Sequence, residues 1–227
     1  MARGMILDVD GTLVDSNDAH AHAWVKACQL SGFAVAFHQV RPLIGMGGDK
    51  LLPTLLGLQA DSPKGKQITR TRQGLFLNEQ ITSVRAFGDV PALVQRLLDD
   101  GVGVAVASSA EKRELDALLD IAGVRALIET KTSAGDAPSS KPDPDVVLAA
   151  LHRLRRRPDE VLMVGDTPYD AEAAHRAGVR FLGVRCGGWN DADFPTAAAI
   201  FDNPADLLAS YASLPWPADV DAAEAGA

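Results

Sequence analysis

The segment Asp8-Val9-Asp10-Gly11-Thr12 closes the short apolar run Met5–Val9 with two acids two residues apart. In extended chain, residues i and i+2 point the same way, so both carboxylates face one site. Paired carboxylates can serve as nucleophile and as general acid or base. Asp-Gly is also a common turn pair, but a turn does not account for two acids at the mouth of an apolar strand. Three further signals follow along the chain. Ser108 comes directly after the apolar run Val102–Ala107. A hydroxyl there, beside backbone N–H groups at a helix start, can hold a phosphate oxygen, although Ser108 and Glu111 also fit a capping box. Lys141-Pro142 lies in a loop before a helix, where a lone lysine alone reads as a solvated charge. In Gly165–Asp170, Thr167 suits an N-cap, Pro168 the first helical position and Asp170 the third. That gives Asp170 a structural reason to be there, whereas neither strand nor cap requires Asp166.

Strand-like and helical stretches alternate around these residues. Strands are expected at Met5–Val9, Val102–Ala107, Ala126–Thr130, Val161–Gly165, Arg180–Val184 and Ala198–Phe201. Helices are expected at Asp89–Asp100, Glu111–Ala122, Asp143–Leu154 and Pro168–Ala177, three of them closed by Gly101, Gly123 and Gly178. This alternation predicts an α/β fold, a parallel sheet with helices on both faces, whose strand C-terminal ends gather ligands on one edge. One region breaks the rhythm. Asp18–Leu30, Asp49–Leu56 and Lys64–Ile81 read as helices with no convincing strand among them, an all-helical insert after the first strand. The expected division is a core of residues 1–15 and 86–211, a cap of 16–85, and an Ala-, Asp- and Pro-rich loose tail of 212–227.

Composition narrows the functions open to such a fold. The 227 residues are 47% hydrophobic, enough for a full core, and 22 Lys and Arg against 30 Asp and Glu leave a net charge of −8. An acidic chain is a poor nucleic-acid binder, so any phosphate site must be local. Cys28 and Cys186 are the only cysteines, which disfavours both a zinc site and a disulfide framework. No apolar run approaches the roughly 18 residues of a membrane span. Asp8, Asp10 and Asp15 interrupt what would be the apolar part of a signal peptide, and a cytoplasmic protein is expected.

The four signals, in this order, resemble the motifs of the haloacid dehalogenase superfamily of phosphatases over about residues 5–210. Asp8–Thr12 matches its Asp-x-Asp-Gly-Thr, Ser108 its Ser or Thr after an apolar strand, Lys141-Pro142 its Lys, and Gly165–Asp170 its Gly-Asp-x-x-x-Asp. The resemblance implies a Rossmann-like core with a helical cap and a Mg²⁺-dependent phosphatase acting on a small phosphorylated metabolite. It implies Asp8 as nucleophile and Asp10 as general acid and base. Mg²⁺ would be held by Asp8, the Asp10 backbone carbonyl and Asp166, with Asp170 a ligand through water or an orienting neighbour. Ser108 and Lys141 would bind the phosphoryl oxygens.

The cap is expected to set the substrate. His20 and Trp24, four apart, share a helix face and resemble a cap pattern of sugar-phosphate members. Lys50, in the turn Gly45–Lys50, is expected to reach an anionic substrate. Met46-Gly47-x-x-Lys50 also resembles the Schiff-base cap of phosphonoacetaldehyde hydrolases, but that family lacks an acid at the place of Asp10, as do true dehalogenases. A β-phosphoglucomutase-like enzyme is a further alternative, disfavoured because Glu111 stands where that family usually offers a Lys. A silent binding module would have lost Asp8, Asp10 or Asp166, and all three are present.

Overall fold

A computed structural model describes residues 3–216. Its main sheet has six parallel strands in the order β5-β4-β1-β6-β7-β8. These are β1 (Gly4–Leu7), β4 (Gly103–Ala107), β5 (Thr130–Thr132), β6 (Val161–Gly165), β7 (Arg180–Val184) and β8 (Ala199–Phe201). β1 lies between β4 and β6, with Gly4 opposite both Gly103 and Val161. Strands so placed are covered on both faces and therefore read as continuous apolar runs.

The pleat sends alternate side chains into two cores. Met5, Leu7, Val104, Val106, Leu162 and Val164 face α5 (Val90–Asp99), α6 (Lys112–Ile121) and α9 (Pro204–Ala209). Ile6, Ala105, Ala107, Val161, Met163 and Phe181 face α7 (Asp145–Leu154) and α8 (Pro168–Arg176).

The helical insert contains α1 (Asn17–Leu30), α2 (Phe37–Val40), α3 (Gly48–Leu56) and α4 (Pro63–Asn78). α1 and α4 form its main pair, around Trp24, Cys28, Leu51, Leu52 and Ile68. Ala19, Ala23 and Phe76 reach out of it into the first core. The insert begins and ends in a two-stranded antiparallel ladder, β2 (Val14–Asp15) with β3 (Arg85–Ala86). Two residues per strand are too few to show an alternating pattern, so periodicity does not reveal them.

Other departures have local causes. The third core strand starts at Thr130, where the sequence pattern ended it, because Val124 and Ile128 are spent on the core beneath the preceding loop. α6 starts at Lys112 with Glu111 as its N-cap residue, so the alternative reading of Ser108 and Glu111 as a capping box is not met. α9 and the short helix α2 were not anticipated. The stretch 212–216 is not loose: Leu214 and Trp216 are buried in the first core, and Arg3 lies over the Trp216 ring at 5.0 Å. The rest of the expected tail, 217–227, lies outside the described residues. Among the described residues no helix is long and apolar enough to cross a membrane.

Leu162, fully buried at the middle of the sheet, gives a direct check of this packing. Leu162→Ala removes three side-chain carbons from a filled core and should lower unfolding free energy by about 2–5 kcal/mol, read from urea denaturation followed by circular dichroism.

Candidate active site

The C-terminal edge of the parallel sheet collects the polar residues. Asp8 follows β1 and still pairs with β6 through its N–H to Val164 O at 2.9 Å. The chain then turns sharply, with Leu13 and Val14 N–H both donating to Val9 O and Gly11 at φ +75°. Asp166 follows β6, and Ser108 follows β4. Asp170 sits in the first turn of α8, where Thr167 caps the helix and Asp170 reciprocates in a capping box, as the sequence pattern predicts. Lys141 comes from the loop before α7.

These residues converge. Asp8, Asp166 and Asp170 each offer a carboxylate oxygen within 4.8 Å of the others, and all three are buried. Lys141 is buried too. Its Nζ donates to Asp8 Oδ1, to Asp170 Oδ1 at 2.7 Å and to Ala107 O, the last residue of β4, at 3.3 Å. Thr12 Oγ1 bridges Asp8 Oδ2 (3.3 Å) and Asp166 Oδ1 (3.2 Å). Asn17, the first residue of α1, donates from Nδ2 to Asp166 Oδ2 at 2.8 Å and to Gly187 O at 3.2 Å. Asp170 Oδ2 accepts from Thr167 N–H and Oγ1. Ser108 is fully buried, and its Oγ accepts from Ala110 N–H at 3.0 Å.

Burial dominates the charge states. It pushes the Asp8 carboxyl up to about 7, with Asp170 and Asp10 adding to the rise and Lys141 opposing it. Burial, then Asp8 and Asp170, likewise raise Asp166. Burial disfavours the Lys141 ammonium, but Asp170 and Asp8 outweigh it and hold the charge in place. Three buried carboxylates against one ammonium leave negative charge uncompensated, and the donors are all hard oxygens. This set of buried carboxylates from Asp8, Asp166 and Asp170 could hold a divalent cation of the Mg²⁺ or Ca²⁺ kind.

Asp10 turns away from that cluster, towards the cap. Its Oδ1 accepts from Ser16 Oγ at 2.5 Å and lies 2.6 Å from His20 Nε2. Arg72 Nη2 lies 2.6 Å from His20 Nδ1. A guanidinium can only donate, so Nδ1 accepts and Nε2 carries the proton given to Asp10. Arg72 also donates from Nη1 to both Glu114 oxygens, at 2.9 and 2.6 Å. Burial alone would raise Asp10; His20, the Ser16 hydrogen bond and the Arg72 charge outweigh it and hold the carboxyl down at about 2. His20 stacks on Phe76 at 3.9 Å.

Asp8, Asp10, His20, Trp24, Arg72 and Lys141 border a space of about 40 Å³. Trp24, Met46, Arg72 and Ser109 also border a larger chamber beside it, of about 420 Å³, between cap and core. Lys50 borders neither. Its Nζ pairs with Asp143 at 2.6 Å on the core, and Asp143 also pairs with Arg176. The expectation that Lys50 reaches the substrate is therefore corrected: an acid on the core, distant in sequence, takes its charge. Asn17, Arg72 and Glu114 were missed by sequence reasoning. Only the acidic Glu114 within an otherwise apolar helix face signalled anything. Cys186 Sγ donates to Gly11 O at 3.2 Å, and both cysteines are free thiols.

The fold has close counterparts. A hydrolase from Pseudomonas syringae superposes with a TM-score of 0.88 at 24% identity, over 93% of this chain and 99% of that one. Residues 5–184 match the family of haloacid dehalogenase-like hydrolases. The chain belongs to that family. Among its relatives, the phosphoglycolate phosphatase of Rhodobacter capsulatus is 28% identical over 185 residues, covering 80% of this chain and 84% of that protein. The N-acetylmuramic acid 6-phosphate phosphatase of Pseudomonas aeruginosa is 24% identical over 214 residues, covering 91% and 93%.

Within this haloacid dehalogenase-like hydrolase, Gly187 leaves room for the acidic cluster. A Cβ there would stand 1.7 Å from Asp166 Oδ2. Gly187→Ala should displace that carboxylate and weaken divalent-cation binding at least tenfold by isothermal titration calorimetry, with the far-ultraviolet circular dichroism spectrum retained.

Proposed function

We propose that the protein is a Mg²⁺-dependent phosphatase that hydrolyses a small phosphate monoester through an aspartyl-phosphate on Asp8. The observation that carries this reading is the buried contact of Asp8 with Lys141, inside a cluster of carboxylates that one ammonium cannot neutralise. The names of the relatives point the same way. Mg²⁺ held by Asp8, Asp166 and the Asp10 backbone carbonyl would offset the repulsion between phosphate and carboxylate.

The chain's own groups account for the remaining steps. Lys141 and Ser108 hold the phosphoryl oxygens, Lys141 as a point charge. The Asp8 carboxylate forms a bond to phosphorus as the bond to the leaving oxygen breaks. Asp10 gives its proton to that oxygen. His20 and Ser16 favour ionised Asp10, and the arriving phosphoryl anion opposes them, because a nearby like charge raises a carboxyl pKa. Water then attacks phosphorus, its proton passes to Asp10, and the Asp8–phosphorus bond breaks to release inorganic phosphate. Asp170, with both oxygens engaged by Lys141 and Thr167, orients the lysine. The ion pair of Lys50 with Asp143 engages the amine that the Schiff base of phosphonate C–P cleavage would need.

Asp8→Asn should abolish phosphate release from p-nitrophenyl phosphate, and Asp10→Asn should lower kcat by roughly 10²–10⁴-fold; wild-type turnover in Asp8→Asn would sink the reading. A second expectation concerns pH. The folded pKa of Asp8, about 7, lies above its ordinary 3.8. Its ionisation therefore costs the metal-free fold stability progressively as pH rises between those values. Asp10, held at about 2, loses its stabilising contribution only below 3.8, outside that window. The Tm of the metal-free protein should fall from pH 5 to pH 8, and the gain in Tm on adding Mg²⁺ should grow over the same range. Differential scanning calorimetry in EDTA and in Mg²⁺ checks both.

A further inference from the structure

The chamber of about 420 Å³ beside the phosphoryl space is where a leaving group must go. The two spaces share Trp24, Met46, Arg72 and Ser109 as walls, so an ester whose phosphorus meets Asp8 extends into it. Its size is at the lower end of small-ligand pockets, enough for a hexose-sized group.

One wall of the chamber is a single stripe of α4. Lys66, Thr69, Arg70 and Gln73 all border it, and spacings of three and four put them on one helix face. The other side of α4 carries Ile68 into the protein interior. The stripe is thus a polar face turned towards the cavity.

The state of the charges on this wall distinguishes it. Arg72 is committed to Glu114 and His20. Asp49, also in the wall, accepts on both oxygens from Ser140, from Oγ at 2.5 Å and N–H at 3.2 Å. Lys66 and Arg70 are exposed and, among the described residues, have no acidic side chain within ion-pair distance. Lys66 and Arg70 thus bring two unpaired positive charges to the wall of the cavity. The one uncommitted acid facing them is Glu111, which opposes a group as highly charged as a second phosphate.

Resting on the phosphatase reading above, we infer that Lys66 and Arg70 select a hexose-sized leaving group that carries a carboxylate. The carboxylate meets the two cations at the open side of the chamber, while the phosphoryl group meets Asp8 and Lys141. Charge-assisted hydrogen bonds of this kind are among the stronger polar contacts, and two of them separate a carboxylate-bearing ester from its neutral counterpart by at least about tenfold.

The test compares kcat/KM for 6-phosphogluconate, glucose 6-phosphate and glucose 1,6-bisphosphate, in the wild type and in the double variant Lys66→Glu, Arg70→Glu. The wild type should prefer 6-phosphogluconate to glucose 6-phosphate by at least tenfold, mainly through KM. The double variant should lose or invert that ratio. An unchanged ratio in the variant, or a wild-type preference for glucose 6-phosphate, overturns the inference while release of phosphate keeps the phosphatase reading. A preference for the bisphosphate over the acid overturns the carboxylate assignment. No phosphate release from any of the three or from p-nitrophenyl phosphate overturns both readings together.

Discussion

Asp8, Asp166 and Asp170 hold three buried carboxylates within 4.8 Å of one another, and like charges at that range repel strongly where water is excluded. Much of the surrounding structure opposes this repulsion. Lys141 enters between Asp8 and Asp170, Thr12 bridges Asp8 and Asp166, Asn17 donates to Asp166 and Thr167 donates to Asp170. A flexible scaffold would relieve the strain by moving the acids apart. A parallel sheet buried on both faces does not allow it, because Asp8 and Asp166 are carried by adjacent strands whose register is fixed by two cores.

The cap is joined to this cluster by polar contacts as well as by packing. Asn17 opens its first helix and holds Asp166. His20, one turn on, holds Asp10. Arg72 on α4 ties His20 to Glu114 on the core helix α6. One continuous chain of hydrogen bonds therefore runs from a core acid, through two cap residues, back to a core acid. Displacing the cap breaks it at Asp10, so the protonation of that carboxylate and the position of the cap are linked.

The four polar motifs were legible in the sequence because acids and hydroxyls at the ends of apolar strands have few structural reasons to be there. Asp166 is the clearest case: neither β6 nor the capping box of Thr167 and Asp170 needs it. Lys141 carried little signal alone and gained it only from its place in an ordered series. Lys50 misled because a sequence shows a charge but not its partner, and Asp143 lies far along the chain. Arg72 and Asn17 were illegible for the same reason, as their partners are in other elements. The buried ends of the described chain, Leu214 and Trp216, were masked by the polar, Pro-rich composition around them.

The two-residue ladder of β2 with β3 has a bearing on how the chain finds its fold. β1 is the central strand, yet its partners begin at Gly103 and Val161, so pairing it closes very long loops. Loop-closure entropy grows with the logarithm of loop length, and contacts so remote in sequence slow folding. The pairing of Val14 with Ala86 takes the whole helical insert out of that count. Once the insert has formed its own contacts and the ladder has closed, β1 and β4 are separated by a short path through β2, β3 and α5. The segment that covers the chemistry in the finished enzyme is then also the shortcut by which its central sheet is assembled.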